Sequence, residues 1–418
     1  MIYDGLRVVD LSTGIAGGYC SKLLTDLGAD VVKLEPPDGD PLRAEKPRLF
    51  DYLHTSQRSV IGDWQPWVAG ADVVIESFRP GVAEEMGFLG IAPVTVSISS
   101  FGRGGPDSER SLPEEVLQAR SGSLSVHGHM GRTPLTVGGH LGEYITGAFA
   151  ALGAVTAWYR ASRNSSPEHV DVSMLEATQL TLAVVPTLMA RFPGGMQRSF
   201  RWVMIPGNEP TNDGEYVGIT TVTKQQWMSL LTCMGRDDLM GDDQLATMIG
   251  RFQRAKEVNE LLRGWTGQHT ADEIVELCAA ERVPAAVVGN GELLPTFAQL
   301  AAREAFVDQP GESWRRPRAP FRCSAVADRV MTPAPALGAN TGDTRLAVRR
   351  PQEIKPGPRV GERPFAGVRV LDFTAFWSGT FATAWLCALG ADVIKVESIQ
   401  RPDGIRFSSA VSPKQDPR

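Results

Sequence analysis

The sequence predicts an α/β fold built on a doubly wound, Rossmann-like parallel sheet, and three observations predict it. Short runs of aliphatic and β-branched residues recur through the first hundred positions, stretches with helical character separate them, and the runs are nearly all apolar, as expected of strands covered by helices on both faces. The chain of 418 residues is long enough for two or three compact units, and its 42% apolar and 22% charged content is that of a folded protein.

Taken in order, Arg7 to Leu11 is the first expected strand, and Tyr19 to Leu27 is a helix closed by Gly28 just before a second strand, Val31 to Leu34. Ala71 to Ile75 and Val94 to Ser99 continue the sheet. Glu143 to Arg160 reads as a helix rich in small residues, His169 to Val172 as a strand, and Met174 to Ala190 as a helix, all packing on that sheet. The stretch Phe192 to Gly207 is rich in Pro and Gly, and the composition then changes. A turn at Asn212 to Glu215 feeds a strand, Tyr216 to Thr221; helices follow at Lys224 to Met234, Arg254 to Trp265 and Ala271 to Glu281, with a strand at Ala285 to Val288. These make a smaller α+β domain. The expected boundaries are 1–200 for the large domain, 201–310 for the small one, 311–348 for a return to the large domain, 349–364 for an exposed, proline-rich and charged linker, and 365–418 for a further unit.

That last unit is a repeat. Residues 5–35 (GLRVVDLSTGIAGGYCSKLLTDLGADVVKLE) align without gaps on residues 367–397 (GVRVLDFTAFWSGTFATAWLCALGADVIKVE), with 13 identities in 31 positions at a constant offset of 362. The spacing is too long for a solenoid and implies a tandem duplication of the large domain. A second copy of this length holds only a βαβ start and is expected to be poorly ordered or docked elsewhere, and the natural product to be longer.

Forty-two basic against forty-eight acidic residues give a net charge of -6, and no basic run marks a nucleic-acid surface. A small-molecule partner is expected. Five scattered cysteines (Cys20, Cys233, Cys278, Cys323, Cys387) without a CxxC pair fit a reducing compartment. The charged N-terminus is unlike a signal peptide, and the longest apolar stretch, Tyr144 to Tyr159, is too short to span a bilayer, so a cytoplasmic location is expected.

The first βα turn, Ser12 to Gly18, lies where open α/β sheets bind phosphates, and Glu35 ends the second strand as a ribose-binding acid would. Its GxxGG spacing is not the GxGxxG of nicotinamide cofactors, which leaves another phosphate ligand or simple tight packing. Glu143 is the lone charged residue between Arg132 and Arg160. It is either a first-turn acid offsetting the helix dipole or a nucleophilic carboxylate flanked by glycines. His127, His129 and His140 could form a metal site, although no second shell is legible, and no metal is expected. Cys20 reads as a buried small side chain, and no histidine or aspartate stands at triad spacing from Ser99, Ser100 or Ser121.

Several segments in order resemble the class III CoA-transferases, the formyl-CoA transferase and carnitine CoA-transferase family, which includes α-methylacyl-CoA racemase. They are GLRVVDLSTGIAGG, LGADVVKLE, ADVVIESFRPGV (Ala71 to Val82), SISSFGRGGP (Ser97 to Pro106), QARSG (Gln118 to Gly122), VGGHLGEYITG (Val137 to Gly147), HVDVSMLEA (His169 to Ala177), DGEYVGI and APALGANT (Ala334 to Thr341). The resemblance implies a large Rossmann-like CoA-binding domain with a smaller inserted domain, an interlocked dimer, acyl-CoA and a carboxylic acid as substrates, and a catalytic aspartate whose place Glu143 takes. It implies CoA contacts at Ile15 and Ala16, at Ile61, Gly62, Asp63 and Trp64, and at Ser77, Phe78 and Arg79. Two CoA-contacting arginines of the family fall at Pro36 and Glu85; Arg43, Arg58 and Arg79 stand as substitutes. The racemase histidine falls at Pro113, which disfavours that branch, and the family's LGEHT ending reads Leu337 to Thr341, LGANT. The expected function is a CoA-transferase; the alternative is a catalytically degenerate half that serves as a pseudo-subunit for a second copy, and a metal-dependent enzyme ranks below both.

Overall fold

The structure, a computed structural model, describes residues 2–128, 132–164, 166–183, 207–221, 223–324, 329–343, 363–400 and 403. The chain divides into two compact units, the first comprising 1–125, 136–196 and 308–418, the second 126–135 and 197–307. Among the described residues no helix is long and apolar enough to cross a membrane.

The first unit is built on six parallel strands, β1 (Arg7–Asp10), β2 (Asp30–Glu35), β3 (Arg58–Ile61), β4 (Val73–Glu76), β5 (Val94–Ser99) and β6 (Glu168–Ser173), in the spatial order β3-β2-β1-β4-β5-β6. Around them lie α1 (Ile15–Asp26), α2 (Leu42–Glu45), α3 (Pro47–Leu53), α4 (Gln65–Val68), α5 (Val82–Met86), α6 (Glu114–Arg120), α7 (Leu141–Asn164) and α8 (Met174–Leu182). Alternate strand residues feed two cores. Val8, Val31, Val73, Ile75 and Val96 pack with α1 and α7 on one face. Val9, Val32, Val60 and Val74 pack with Trp67 and Phe88 on the other. Both faces of the central strands β1, β4 and β5 are covered, so these are buried almost throughout, whereas β6, at the sheet edge, alternates.

α1 and β3 differ from the sequence expectation, and helices α2 to α6 have no counterpart in it. α1 begins four residues early, at Ile15, because its first turn is made of small residues that carry no hydrophobic period; Gly14 precedes it at φ 83, a conformation suited to glycine. β3 escapes the pattern altogether, since Arg58 and Ser59 make up half of it. It is an edge strand, and the LGANT segment covers it. Asn340 N–H donates to Ser59 O (2.8 Å), Ser59 N–H to Asn340 Oδ1 (3.1 Å) and Ile61 N–H to Thr341 Oγ1 (3.0 Å). α8 is described to Leu182; the expected continuation over 184–190, the stretch 192–206 and most of the linker, 349–362, lie outside the described residues.

The second unit has a three-stranded antiparallel sheet, β7 (Gly207–Pro210), β8 (Tyr216–Ile219) and β9 (Ala285–Val287) in the order β7-β8-β9. Helices Lys224–Cys233, Ala255–Thr266 and Ala271–Ala280 bury Trp227, Leu230, Leu262 and Ile274 against it. Thr223 with Gln226 and Thr270 with Glu273 form capping boxes that fix two of the helix starts.

Residues 367–397 rebuild the start of the first unit. Strands Arg369–Asp372 and Asp392–Lys395 pair in parallel around the helix Ser378–Ala388. Hydrogen bonds recur one for one: Lys33 Nζ donates to Ser12 O (2.8 Å) and Lys395 Nζ to Thr374 O (2.6 Å), while Asp10 accepts Ser12 N–H (2.9 Å) and Asp372 accepts Thr374 N–H (2.8 Å). Lys33 pairs with Asp10 (3.6 Å) and Asp40 (3.0 Å), and Lys395 with Asp372 (3.6 Å) and Asp403 (3.4 Å). The copy docks on the outer face of α7, with Trp385 against Phe149 (5.4 Å between rings) and Phe365 against Tyr159 (5.7 Å).

Candidate active site

In this strand order the chain reverses direction across the sheet between β1 and β4, and a crevice opens outside the carboxyl ends of those strands. The loops after β1 and β4 meet there, where Thr13 N–H donates to Ser77 Oγ at 3.0 Å. A cavity of about 230 Å³ lies against both loops and the first turn of α7.

The β1 loop is fixed by buried charge. Asp10 Oδ1 accepts Ser12 N–H and Ser12 Oγ–H (2.9 and 2.5 Å), and the buried Lys33 ammonium ties Asp10, Asp40 and Ser12 O together. Burial opposes each of these charges, and mutual attraction outweighs it, so Asp10 is held below the usual carboxylate range and Lys33 above the usual ammonium range. The glycines behind the loop answer to packing. A Cβ on Gly17 would stand 1.9 Å from Ser12 Oγ, and one on Gly147 of α7 would stand 2.5 Å from Ala16 O.

This close approach brings Glu143, in the first turn of α7, to the N-terminus of α1, where Ala16 N–H donates to Glu143 Oε2 at 3.1 Å. The anion at this helix N-terminus is therefore the protein's own carboxylate. Burial pushes Glu143 above the usual carboxylate range; the Ala16 N–H acts in the opposite direction, and the neighbouring Glu114 adds to the rise. A carboxyl held away from its solution behaviour in a crevice is a functional-site feature.

Of the residues singled out in the sequence, Ala16, Ser77, Phe78, Arg79 and Glu143 line this cavity together. Ile15 does not: it is buried against Leu42, Phe50 and Leu53. Ile61 ends β3 and Gly62, Asp63 and Trp64 follow it, all outside the cavity lining; Ile61 N–H is taken by Thr341, Gly62 and Asp63 are exposed, and Trp64 packs edge-on against Phe88 at 5.5 Å. Arg79 is exposed and forms no ion pair with a described residue, whereas Arg43 grips Glu35 with two bonds of 2.7 Å and Arg58 pairs with Asp30. Glu35 is thus unavailable to a ribose. Burial works against its ionisation, but Arg43, Ser59 Oγ–H and Asp40 N–H hold it down at about 2.

Cys20 is wholly buried, which raises its thiol well above the usual range and makes it inert. Ser99 and Ser100 reach the cavity, but Ser99 Oγ accepts Gly102 N–H (2.9 Å) and Ser100 Oγ accepts Leu112 N–H (3.0 Å). His127 belongs to the second unit, His129 lies outside the described residues, and His140 Nε2 faces Lys46 Nζ at 2.5 Å. Among the described residues no group of three or more His, Cys, Asp or Glu is placed to hold a metal ion.

One residue of the site has no counterpart in the sequence reading. Glu114, buried in the first turn of α6, accepts Gly142 N–H at 2.6 Å and Gln118 Nε2–H at 2.8 Å with the same Oε1. Its signal in the sequence, an acid just after Pro113, reads only as a helix start.

Comparison with known proteins finds one family along most of the chain. The profile of CoA-transferase family III matches residues 3–341 and 365–417. A protein of Mycobacterium tuberculosis named "Probable CoA-transferase Rv1866" is 28% identical over 96% of this chain, and the chain spans about half, 54%, of that relative's length. The succinyl-CoA–D-citramalate CoA-transferase of Chloroflexus aurantiacus is 28% identical over 80% of this chain and 91% of its own. The formyl-CoA:oxalate CoA-transferase of Streptomyces avermitilis is 29% identical over 73% of this chain and 85% of its own. A solved CAIB/BAIF family structure from Brucella suis superposes with a TM-score of 0.72 at 26% identity, over 82% of this chain and 98% of that one.

Proposed function

This chain belongs to CoA-transferase family III, and on that premise we propose that it moves CoA from an acyl-CoA to a carboxylic acid with Glu143 as the nucleophile. The observation that carries the reading is the Glu143 carboxylate, facing the crevice cavity with one oxygen on the Ala16 N–H. The other oxygen attacks the thioester carbonyl, and CoA thiolate leaves to give an acyl-glutamyl anhydride. The thiolate then attacks the Glu143 carbonyl, releasing the first acid and forming a glutamyl-CoA thioester. An acceptor carboxylate displaces the thiolate to make a second anhydride, and thiolate attack on the acceptor carbonyl yields the new acyl-CoA and returns the carboxylate. The Ala16 N–H is placed to follow charge on the glutamyl group through these steps.

Thr13, Ser77, Ser99, Ser100 and Arg79 give the cavity a polar lining, which supports short acyl groups bearing polar or charged ends. The relatives named for succinyl-CoA with citramalate and for formyl-CoA with oxalate support a short dicarboxylic acid as one substrate. CoA itself is proposed to run from Ala16 past Ser77, Phe78 and Arg79, with Ile61 to Trp64 receiving its far end.

A second reading, a degenerate half serving as pseudo-subunit, is favoured by Pro36 and Glu85 where the family resemblance expects phosphate-directed arginines, and by the rebuilt unit at 367–397. Intact mass after incubation with succinyl-CoA separates the two. The transferase reading expects an acyl or CoA adduct that is absent in Glu143→Ala, with exchange activity down at least about 10³-fold. A wild-type protein that forms no adduct and binds no CoA by calorimetry makes the degenerate half the correct reading.

A further inference from the structure

A buried carboxylate of α6 that the transfer chemistry does not use stands against the first turn of α7. Glu114 Oε1 takes the amide of Gly142, the residue before Glu143, at 2.6 Å, and Gln118 Nε2 at 2.8 Å. Gln118 is locked in turn, donating to Val137 O (2.9 Å) and accepting Val137 N–H (2.8 Å). A side chain at position 142 would push against the Glu114 carboxylate, since a Cβ there would lie 2.9 Å from Glu114 Oε1. On the far side, Glu114 Oε2 stands 3.6 Å from His140 Nδ1. His140 Nε2 meets the Lys46 ammonium at 2.5 Å, so the ring accepts at Nε2 and carries its proton on Nδ1, toward Glu114. His140 holds φ 56, a left-handed conformation that a histidine keeps only when its surroundings fix it.

We propose that Glu114 is a positioning residue for Glu143: it grips the first turn of α7 through the Gly142 amide and stands as a buried anion that keeps the Glu143 carboxylate from being fully stabilised. Free amides at a helix N-terminus stabilise a first-turn carboxylate and so blunt it as a nucleophile. Here Glu114 occupies the amide next to Glu143, which leaves Glu143 one backbone donor, Ala16 N–H, from the opposite helix. The ionisable groups around Glu143 are Glu114 and Glu115 from α6, His140 and Tyr144 from its own segment with Lys46 behind, Tyr19 from α1, and Arg79, Glu109 and Arg110 across the cavity. Glu114 is the one among them that also fixes the backbone of the nucleophile's turn. The catalytic meaning of this arrangement rests on the proposed role of Glu143; its electrostatic content does not.

The test is a pH titration of the Glu143 side-chain carboxyl by ¹³C NMR on protein labelled at glutamate Cδ, with Glu143→Gln to assign the resonance, in wild type and Glu114→Gln. Glutamine keeps an oxygen for the Gly142 amide and removes the charge. The expected result is an ionisation midpoint lowered by about half a unit to one unit in Glu114→Gln, with Gly142 still protected from hydrogen exchange. A midpoint that stays put or rises overturns the proposal. If Glu114→Gln does not fold, Glu114→Asp keeps the charge but draws back from Gly142; the proposal then expects faster exchange at Gly142 with the midpoint within about 0.3 unit of wild type, and a midpoint lowered by a full unit overturns it. Failure of the wild type to form an acyl adduct rejects the transferase reading and leaves the titration result standing.

Discussion

Glu143 works against the fold that holds it. Because burial opposes its ionisation and raises its pKa, the native state binds a proton more tightly than the unfolded chain between the ordinary carboxylate range and the raised value, and stability falls as pH climbs through that window. Glu143→Gln removes the slope. The variant is expected to melt above wild type at pH 8 and to converge with it near pH 4, and equal melting temperatures at pH 8 would contradict the burial assigned to this carboxyl. Glu143 was legible in the sequence as a lone charge opening an apolar helix, which is a local signal. Its partner Glu114 was not, because the contacts that matter join positions 28 apart and exist only once α6 and α7 are packed. Glu35 shows the converse: its place after β2 suggested a ligand, and only the fold reveals that Arg43, eight positions on, already fills it.

At the scale of elements, the site depends on how closely α7 approaches α1. Gly147 sets that distance, since a Cβ there meets the Ala16 carbonyl at 2.5 Å, and a backbone oxygen cannot rotate away as a side chain would. Gly147→Ala is expected to cost about 1–3 kcal/mol in urea unfolding and to slow adduct formation on Glu143 by more than the stability loss explains, because the Ala16 to Glu143 hydrogen bond lengthens. Full activity in a destabilised Gly147→Ala protein would show that the contact serves packing alone. Strands β1, β2, β4 and β5 were readable because helices on both faces demand mostly aliphatic, β-branched runs, and β6 was readable from the alternation of Val170 and Val172 with polar residues. β3 was not, for at the sheet edge Arg58 and Ser59 can replace aliphatic residues once LGANT covers the open hydrogen bonds. The departure of LGANT from the family ending therefore bears on an edge strand, away from Glu143.

Over the whole molecule, one ionic network occurs in two settings, and the comparison isolates what surroundings contribute. Around Lys33 it lies inside a six-stranded sheet, with Val9 and Val32 at 0% exposure beside it; around Lys395 the matching Leu371 and Ile394 are 59% and 42% exposed on a two-stranded sheet. The repeat itself was plain in the sequence, whereas the docking of its second copy on α7 through Trp385 and Phe365 could not be read from a pattern that the first copy uses differently. Lys33→Ala leaves Asp10 and Asp40 as buried anions without a cation, a loss of about 3–5 kcal/mol felt by the entire first sheet. Lys395→Ala removes the same bonds from the buried Asp372 and Asp403, but the lysine side chain is 27% exposed, so water can reach the carboxylates in its place, and few elements depend on the turn. The main thermal transition is accordingly expected to fall sharply in Lys33→Ala and to stay at the wild-type temperature in Lys395→Ala, while hydrogen exchange in Lys395→Ala accelerates only over 369–395. Equal lowering of the main transition by the two substitutions would mean that the second copy, through its seat on α7, is cooperative with the six-stranded sheet on which α7 packs.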